Sequence, residues 1–269
     1  MCIRDRHKGQ KEPQVVVLTP TRELAAQVAA EVGNLSKYKE IRSQAIYGGA
    51  SMQTQLAALR EGVEFVVGTP GRILDHLRRG TLDLSKVRMA VLDEADEMLS
   101  MGFYEEVTRI LDTLPQERQI LLFSASLPHD IERLAGRYLK DPERIEMSGD
   151  DLTVEGIDNV LYFAAENLPK ARSLLYLIAH EQPASAIIFC NTREDTHAVG
   201  AYLRREGLDA EVINGDLAQT QREFVMGRIK SGKLRFLVAT DIAARGIDIS
   251  DLSHVFNYSL PEDPAVYLH

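Results

Sequence analysis

Val87-Arg88-Met89-Ala90-Val91-Leu92-Asp93-Glu94-Ala95-Asp96 decides the fold. An apolar run of strand length ends in two adjacent carboxylates, with a third two residues on. A buried strand that ends this way sets its acids at the carboxyl edge of a parallel sheet, where open α/β folds bind their ligands. Acidic residues at that edge can hold a phosphate-bound magnesium and orient an attacking water. The plain alternative is a helix cap, since acidic strand-to-helix turns are common in that role. The segments on either side choose between the two.

Working outward, short strands alternate with helices. Val15-Val16-Val17-Leu18-Thr19, Ile41 to Tyr47, Phe65-Val66-Val67, Val87 to Leu92 and Ile120 to Phe123 read as strands. Arg22–Lys37, Gln53–Arg60, Ile73–Arg79, Glu105–Leu114 and His129–Leu139 read as helices. This alternation predicts a parallel sheet covered by helices on both faces. The pattern weakens over Asp141 to Asp158, which holds a proline, two glycines and seven acidic residues. A second series follows, with strands at Asn159–Phe163, Ala186–Phe189, Glu211–Ile213, Phe236–Ala239 and His254–Tyr258. Its helices are expected at Ala171–His180, Thr196–Glu206 and Gln221–Ser231.

With 269 residues the chain has room for two such domains. No apolar stretch reaches membrane-spanning length, and the first residues lack the apolar core of a signal peptide. Met1-Cys2-Ile3-Arg4-Asp5-Arg6 fits nothing that follows. Two cysteines make no disulfide framework, and Cys190, closing an apolar run, reads as a buried reduced thiol. The seven histidines show no metal-ligand spacing. A cytoplasmic location is the default. Net charge is −9, split as −3 over residues 1–150 and −6 over residues 151–269. That balance argues against a general polyanion binder. Any nucleic-acid site has to be a local track of basic and backbone donors.

The first half carries such a track. Thr19-Pro20-Thr21-Arg22 opens a helix after the first strand, Gly48-Gly49-Ala50-Ser51 follows the second, and Gly68-Thr69-Pro70-Gly71-Arg72 opens a helix after the third. Free N–H groups and the dipole at a helix start attract phosphate. One such turn is usually an ordinary cap, but three on one sheet edge make a path for a phosphodiester backbone. Ser124-Ala125-Ser126 follows the strand after the acidic segment, so parallel neighbours would bring its hydroxyls near Asp93 and Asp96.

In order, these segments resemble motif Ia, the double glycine, and motifs Ib, II and III of the DEAD-box RNA helicases. The second half continues the series. Ile187-Ile188-Phe189-Cys190-Asn191-Thr192-Arg193 is similar to motif IV, and Gly215-Asp216 with Gln219 and Arg222 to the Gln-x-x-Arg element. Ala239-Thr240-Asp241-Ile242-Ala243-Ala244-Arg245-Gly246-Ile247-Asp248 resembles motif V and is the most specific of them. The resemblance runs from residue 13 to residue 269 almost without a gap.

It implies an α/β chain of two RecA-like parallel-sheet domains in tandem. They are placed at residues 7–147 and 156–269, with a linker at 148–155, both truncated at the chain ends. It implies an ATP-dependent, RNA-directed helicase core that opens duplexes locally by ATP-driven closure. Asp93 would hold Mg2+ through water, Glu94 would position the hydrolytic water, and Asp96 would bond the Ser124 and Ser126 region. Thr21, Arg22, Gly49, Thr69, Gly71 and Arg72 would grip one RNA strand. Thr192, Arg193, Gly215, Gln219, Arg222, Thr240 and Asp241 would continue that grip. Gly246 and Asp248 would meet the ribose of ATP. Most of these are backbone contacts, so RNA binding is expected to be largely independent of base sequence.

Several positions depart from the family pattern. Ser126 stands where motif III usually ends in threonine, and Asn214 where a histidine usually precedes Gly-Asp. Asp96 rather than histidine points to the DEAD branch over the DEAH branch. No G-x-x-x-x-G-K-[ST] occurs in these residues, and His269 would be only the first residue of motif VI. The chain therefore reads as an internal stretch of a longer enzyme, inactive by itself. A nucleotide-independent RNA-binding clamp and a DNA-directed motor of the same superfamily are the alternative readings.

Overall fold

The computed structural model describes residues 12–39, 41–146, 156–164, 167–244, 249 and 252–260. The chain divides into two compact units, Met1–Glu143 and Arg144–His269. The expected domains, 7–147 and 156–269, set the division a few residues later, across 148–155. The expected linker, 148–155, lies outside the described residues.

The first unit is a five-stranded parallel sheet in the order β2-β3-β1-β4-β5. Its strands are β1 (Val15–Leu18), β2 (Ser43–Ile46), β3 (Phe65–Gly68), β4 (Met89–Leu92) and β5 (Gln119–Leu122). Its helices are α1 (Arg22–Leu35), α2 (Met52–Glu61), α3 (Pro70–Arg78), α4 (Ala95–Ser100), α5 (Tyr104–Asp112) and α6 (His129–Tyr138). Strand side chains alternate between faces, and both faces are covered here. Val16, Leu18, Val66, Ala90 and Leu92 pack against Ile73, Met98, Ile110 and Leu134 from α3 to α6. Val15, Val17, Phe65, Val67 and Val91 pack against Ala25, Ala29 and Val32 of α1. Burial on both sides explains why β1 reads as an unbroken apolar run, Val15-Val16-Val17-Leu18. Gly68 closes β3, where a Cβ would lie 2.1 Å from the Ile46 carbonyl oxygen, so only glycine lets β2 approach there.

Among the described residues the second unit holds a four-stranded parallel sheet in the order β7-β8-β6-β9. These are β6 (Ala186–Cys190), β7 (Ala210–Ile213), β8 (Phe236–Thr240) and β9 (His254–Asn257). Helices α7 (Lys170–Glu181), α8 (Arg193–Arg205), α9 (Gln219–Lys230) and the short α10 (Asp241–Ala244) accompany them. Ile188, Val212 and Val238 meet Leu174, Val199 and Leu203 on one face. Ile187, Ile213 and Leu237 meet Val225, Met226 and Ile229 on the other.

One strand expectation is corrected. Asn159–Phe163 forms no strand, and Val160, Leu161 and Phe163 stand 66%, 70% and 89% exposed. Its aromatic and β-branched composition gives a strand signal, but a strand exists only where a neighbour takes its hydrogen bonds. None of the described strands pairs with it. Two helices escape the sequence pattern. α4 has six residues and α10 four, too few for a 3.6-residue period to declare itself. Cys190 is free and fully buried, and burial, with Asp195 nearby, pushes its thiol up to about 12, so it is inert.

Candidate nucleotide and nucleic-acid site

Strand order arranges the candidate residues of the first unit along one carboxyl edge. Read across the sheet, the edge carries Gly48-Gly49 after β2, Thr69–Arg72 after β3, Thr21-Arg22 after β1, Asp93–Asp96 after β4 and Ser124–Ser126 after β5. Phosphate-type turns fill one side and the acidic group the other. Backbone bonds hold the junction: Asp93 N–H donates to Leu18 O at 3.0 Å, Phe123 N–H to Leu92 O at 2.8 Å, and Ala95 N–H to Phe123 O at 2.9 Å.

The three carboxylates sit in different surroundings. Burial raises the Asp93 carboxyl above its ordinary 3.8, with one N–H from Glu94 working the other way. No ion pair to Asp93 is present among the described residues. A half-buried carboxylate without a countercharge is the environment that a bound cation corrects. Asp93 therefore fits a magnesium site. Among the described residues no group of three or more His, Cys, Asp or Glu could hold a metal, so any cation there would need water and a bound phosphate as further ligands.

Glu94 occupies the left-handed region, at φ 49° and ψ 55°, as the N-cap of α4. A non-glycine residue held there stores strain, and such strain gathers at functional positions. Asp96 is locked in place. Ser126 donates its N–H and its hydroxyl to Asp96 Oδ2, at 2.8 and 2.7 Å. The Ser124 hydroxyl accepts from Asp96 N–H at 3.2 Å and donates to Ser126 O at 2.6 Å. Burial alone would raise the Asp96 carboxyl, but Ser126, Ser124 and the Glu97 N–H together hold it below its ordinary range.

Thr21 is the buried N-cap of α1, its hydroxyl accepting from Leu24 N–H at 3.3 Å. Arg22 begins that helix and reaches toward Gly48, where a Cβ would lie 3.9 Å from its Nη2. Gly49 has φ 85°, a backbone shape that favours glycine. Thr69 caps α3 without using its hydroxyl, Pro70 takes the first turn, and Gly71 is exposed with open space around it. Arg72 donates to Gln55 Oε1 at 3.4 Å. Gln55 and His76 were not expected at the site, yet both are buried and hydrogen-bonded beneath Arg72. The sequence held one signal for them. Each is a polar residue in phase with apolar helix positions, Gln55 with Leu59 and His76 with Ile73.

The second unit repeats the arrangement on its own sheet edge. Thr192 caps α8 after β6, accepting from Asp195 N–H at 3.0 Å and donating to its Oδ2 at 2.7 Å. Arg193 pairs with Asp216 at 2.7 Å, across Gly215 in the turn after β7. A Cβ at Gly215 would fall 3.0 Å from the Arg193 guanidinium. Asn214 is fully buried. It donates to Thr196 Oγ1 at 2.9 Å and His197 Nε2 at 3.0 Å, and accepts from Asp216 N–H at 3.0 Å. Asparagine thus shapes the Gly215-Asp216 turn from beneath. Gln219 begins α9 and donates to Glu223 Oε1 at 3.1 Å. Arg222 donates to Ala243 O at 2.5 Å, tying α9 to α10. Thr240 ends β8 and Asp241 begins α10. Gly246 and Asp248 lie outside the described residues.

Residues 1–134 match the DEAD/DEAH box helicase family, and residues 169–269 match the helicase conserved C-terminal domain. The ATP-dependent RNA helicase DbpA of Bacillus subtilis is 44% identical over 261 residues, 97% of this chain and 54% of that protein. The chain spans about half the length of the first such relatives. Among solved structures, a DEAD box protein from Methanococcus jannaschii is 42% identical, covering 96% of this chain and 69% of that one, with a TM-score of 0.51. S. cerevisiae Dbp5 bound to RNA and ADP BeF3 is 31% identical, covering 96% and 66%, with a TM-score of 0.86.

Proposed function

The chain belongs to the DEAD/DEAH box helicase family, and on that premise we propose that it forms the RNA-gripping and water-positioning core of an ATP-dependent RNA helicase. The observation that carries the proposal is the order of groups along the first sheet edge. Phosphate-type turns after β2, β3 and β1 run directly into Asp93, Glu94 and the locked Asp96 after β4. Thr21, Arg22, Gly49, Thr69, Gly71 and Arg72 hold the sugar-phosphate backbone of one strand. Thr192, Arg193, Gly215, Gln219, Arg222, Thr240 and Asp241 do the same from the second unit.

ATP supplies the phosphoryl group, and Mg2+ neutralises its charge when bound. Asp93 would hold that ion through water. Glu94 orients the attacking water and takes its proton on the carboxylate. Asp96 fixes the Ser124–Ser126 loop. Gly246 and Asp248 are assigned to the ribose. With contacts falling on backbone rather than bases, RNA of any sequence binds alike. The protein acts in the cytoplasm. No helix among the described residues is long and apolar enough to cross a membrane.

The test is a chimera in which this chain replaces the matching part of the Bacillus subtilis relative. ATP turnover stimulated by single-stranded RNA and strand separation of an RNA duplex are the expected outcomes. Stimulation by DNA in preference to RNA, or RNA binding with no turnover at all, would overturn the proposal.

A further inference from the structure

A buried polar chain links two of the phosphate-type edges in the first unit, and nothing in the proposed reaction uses it. Gln55 on α2 and His76 on α3 are 2% and 0% exposed. Gln55 Nε2 donates to Tyr47 O at 3.0 Å, immediately before the Gly48-Gly49 turn. That bond fixes the amide, so Gln55 Oε1 faces His76 Nε2 at 3.1 Å and Arg72 Nη1 at 3.4 Å. A carbonyl oxygen only accepts, so His76 must carry its proton on Nε2. Thr81 Oγ1 lies 2.9 Å from His76 Nδ1 and 3.1 Å from the His76 carbonyl oxygen, and with the ring proton on Nε2 its one hydroxyl proton goes to Nδ1 rather than to the carbonyl. Burial, then the Arg72 charge, keeps that ring neutral.

We propose that His76 is a positioning residue that acts through Gln55, holding the Arg72 guanidinium and the Tyr47–Gly48–Gly49 turn at one fixed spacing so that both meet the same RNA backbone. The inference rests on the reading that Arg72 contacts RNA. Gln55 Oε1 is the shared point. With its His76 donor in place it is aimed at Arg72, and its amide nitrogen is aimed at the glycine turn. Without that donor, nothing on α3 except Arg72 itself fixes the Gln55 head group.

The experiment measures binding of a fluorescein-labelled oligouridylate to this chain by anisotropy. The variants are Arg72→Ala, His76→Leu, His76→Gln, Gln55→Leu and the double variant Arg72→Ala/His76→Leu. Arg72→Ala should weaken binding and make its salt dependence shallower. His76→Leu should weaken binding by about three- to tenfold, the worth of one hydrogen bond. His76→Gln, which keeps a donor, should stay within about twofold of wild type. In the Arg72→Ala background, His76→Leu should cost less than it does in wild type, because only the glycine turn is left to misplace. Equal losses in both backgrounds would mean that His76 only supports the core, and would overturn the proposal. Wild-type binding by His76→Leu beside weakened Arg72→Ala would overturn the positioning role alone. Wild-type binding by Arg72→Ala would remove the RNA reading at that residue and this inference with it. Should His76→Leu fail to fold, Gln55→Leu repeats the same cycle. The ring nitrogen chemical shifts of wild-type His76 give an independent check: a proton on Nδ1 would overturn the chain of bonds.

Discussion

Asp96 Oδ2 takes both the N–H and the hydroxyl of Ser126, at 2.8 and 2.7 Å, across 30 residues of sequence. One carboxylate oxygen thereby fastens the first turn of α4 to the loop after β5. The hydroxyl is the part that distinguishes Ser126 from alanine, and it is also the part that a threonine would keep.

Ser126→Ala should therefore destabilise the first unit, while Ser126→Thr should not. A hydrogen bond to a charged group contributes about 1.5–3 kcal/mol, and partial exposure of both partners sets the expectation near about 1.5 kcal/mol. Urea unfolding followed by circular dichroism reads this as a shifted midpoint at constant slope. Equal midpoints for all three proteins would show that the backbone N–H of Ser126 is sufficient.

The neighbouring acid carries the opposite sign. Asp93 titrates above 3.8 in the folded protein because burial disfavours its charge. A raised folded value means that the carboxyl contributes most at low pH, and that its ionised form opposes folding once the pH passes that value. Asp93→Asn removes the charge at every pH. It should raise the melting temperature at pH 7, and the gain should vanish below pH 3.8. Asp96, held below its ordinary range, gives the reverse. Its contribution is full above pH 3.8 and lost as the pH falls through the folded value, so Asp96→Asn should lower the melting temperature at pH 7. A matching drop in Asp93→Asn would show that its ionised form is satisfied in place. Stability is then withheld at the residue assigned to magnesium, as expected where function and folding compete.

Much of this edge was legible in sequence because strand burial writes itself as an unbroken apolar run. Val15–Leu18 and Met89–Leu92 are examples, and their pairing in register brings Leu18 level with Leu92. The acidic group and the serines were likewise legible as residues at strand ends. What sequence could not carry was pairing. Asn159–Phe163 has strand composition and no described neighbour to bond it. The Gln55–His76 link joins positions 21 residues apart on two helices, and its members look like ordinary polar helix residues until packing buries them. Asn214 shows a third limit. Sequence marks it only as a departure from the family pattern, whereas the fold shows that His197 and Thr196 accept its amide.

His76 gives a pH window. Its folded value lies below 6.5, lowered first by burial, then by Arg72 and Arg79, with Asp75 opposing. A depressed value means that the neutral ring is the folded form. Its contribution is complete above pH 6.5 and is lost as the pH falls from there toward the folded value. Wild type should thus lose stability on acidification through that range by more than His76→Gln, which has nothing to titrate. The difference between the two midpoints, plotted against pH, should be flat above 6.5 and slope below it. A flat difference throughout would mean that His76 protonates in the folded state without penalty.

Glu94 combines strain and chemistry in one residue, and two substitutions separate them. Its φ of 49° is unfavourable for a side chain with a Cβ and indifferent for glycine. Glu94→Gly should relieve about 1–2 kcal/mol of backbone strain while adding some chain entropy to the unfolded state, a net gain near 1 kcal/mol. Glu94→Gln keeps the Cβ, the strain and most hydrogen bonding, so its stability should match wild type. In the chimera with the Bacillus subtilis relative, both variants should retain RNA binding and lose turnover. A positioned base contributes about 10²–10⁴-fold, and an amide cannot take the proton from water. Glycine therefore gives a more stable, inactive protein, and glutamine an equally stable, inactive one. If Glu94→Gly is not stabilised, the left-handed backbone carries no strain. If Glu94→Gln turns ATP over normally, the proton goes elsewhere and Glu94 is only the cap of α4.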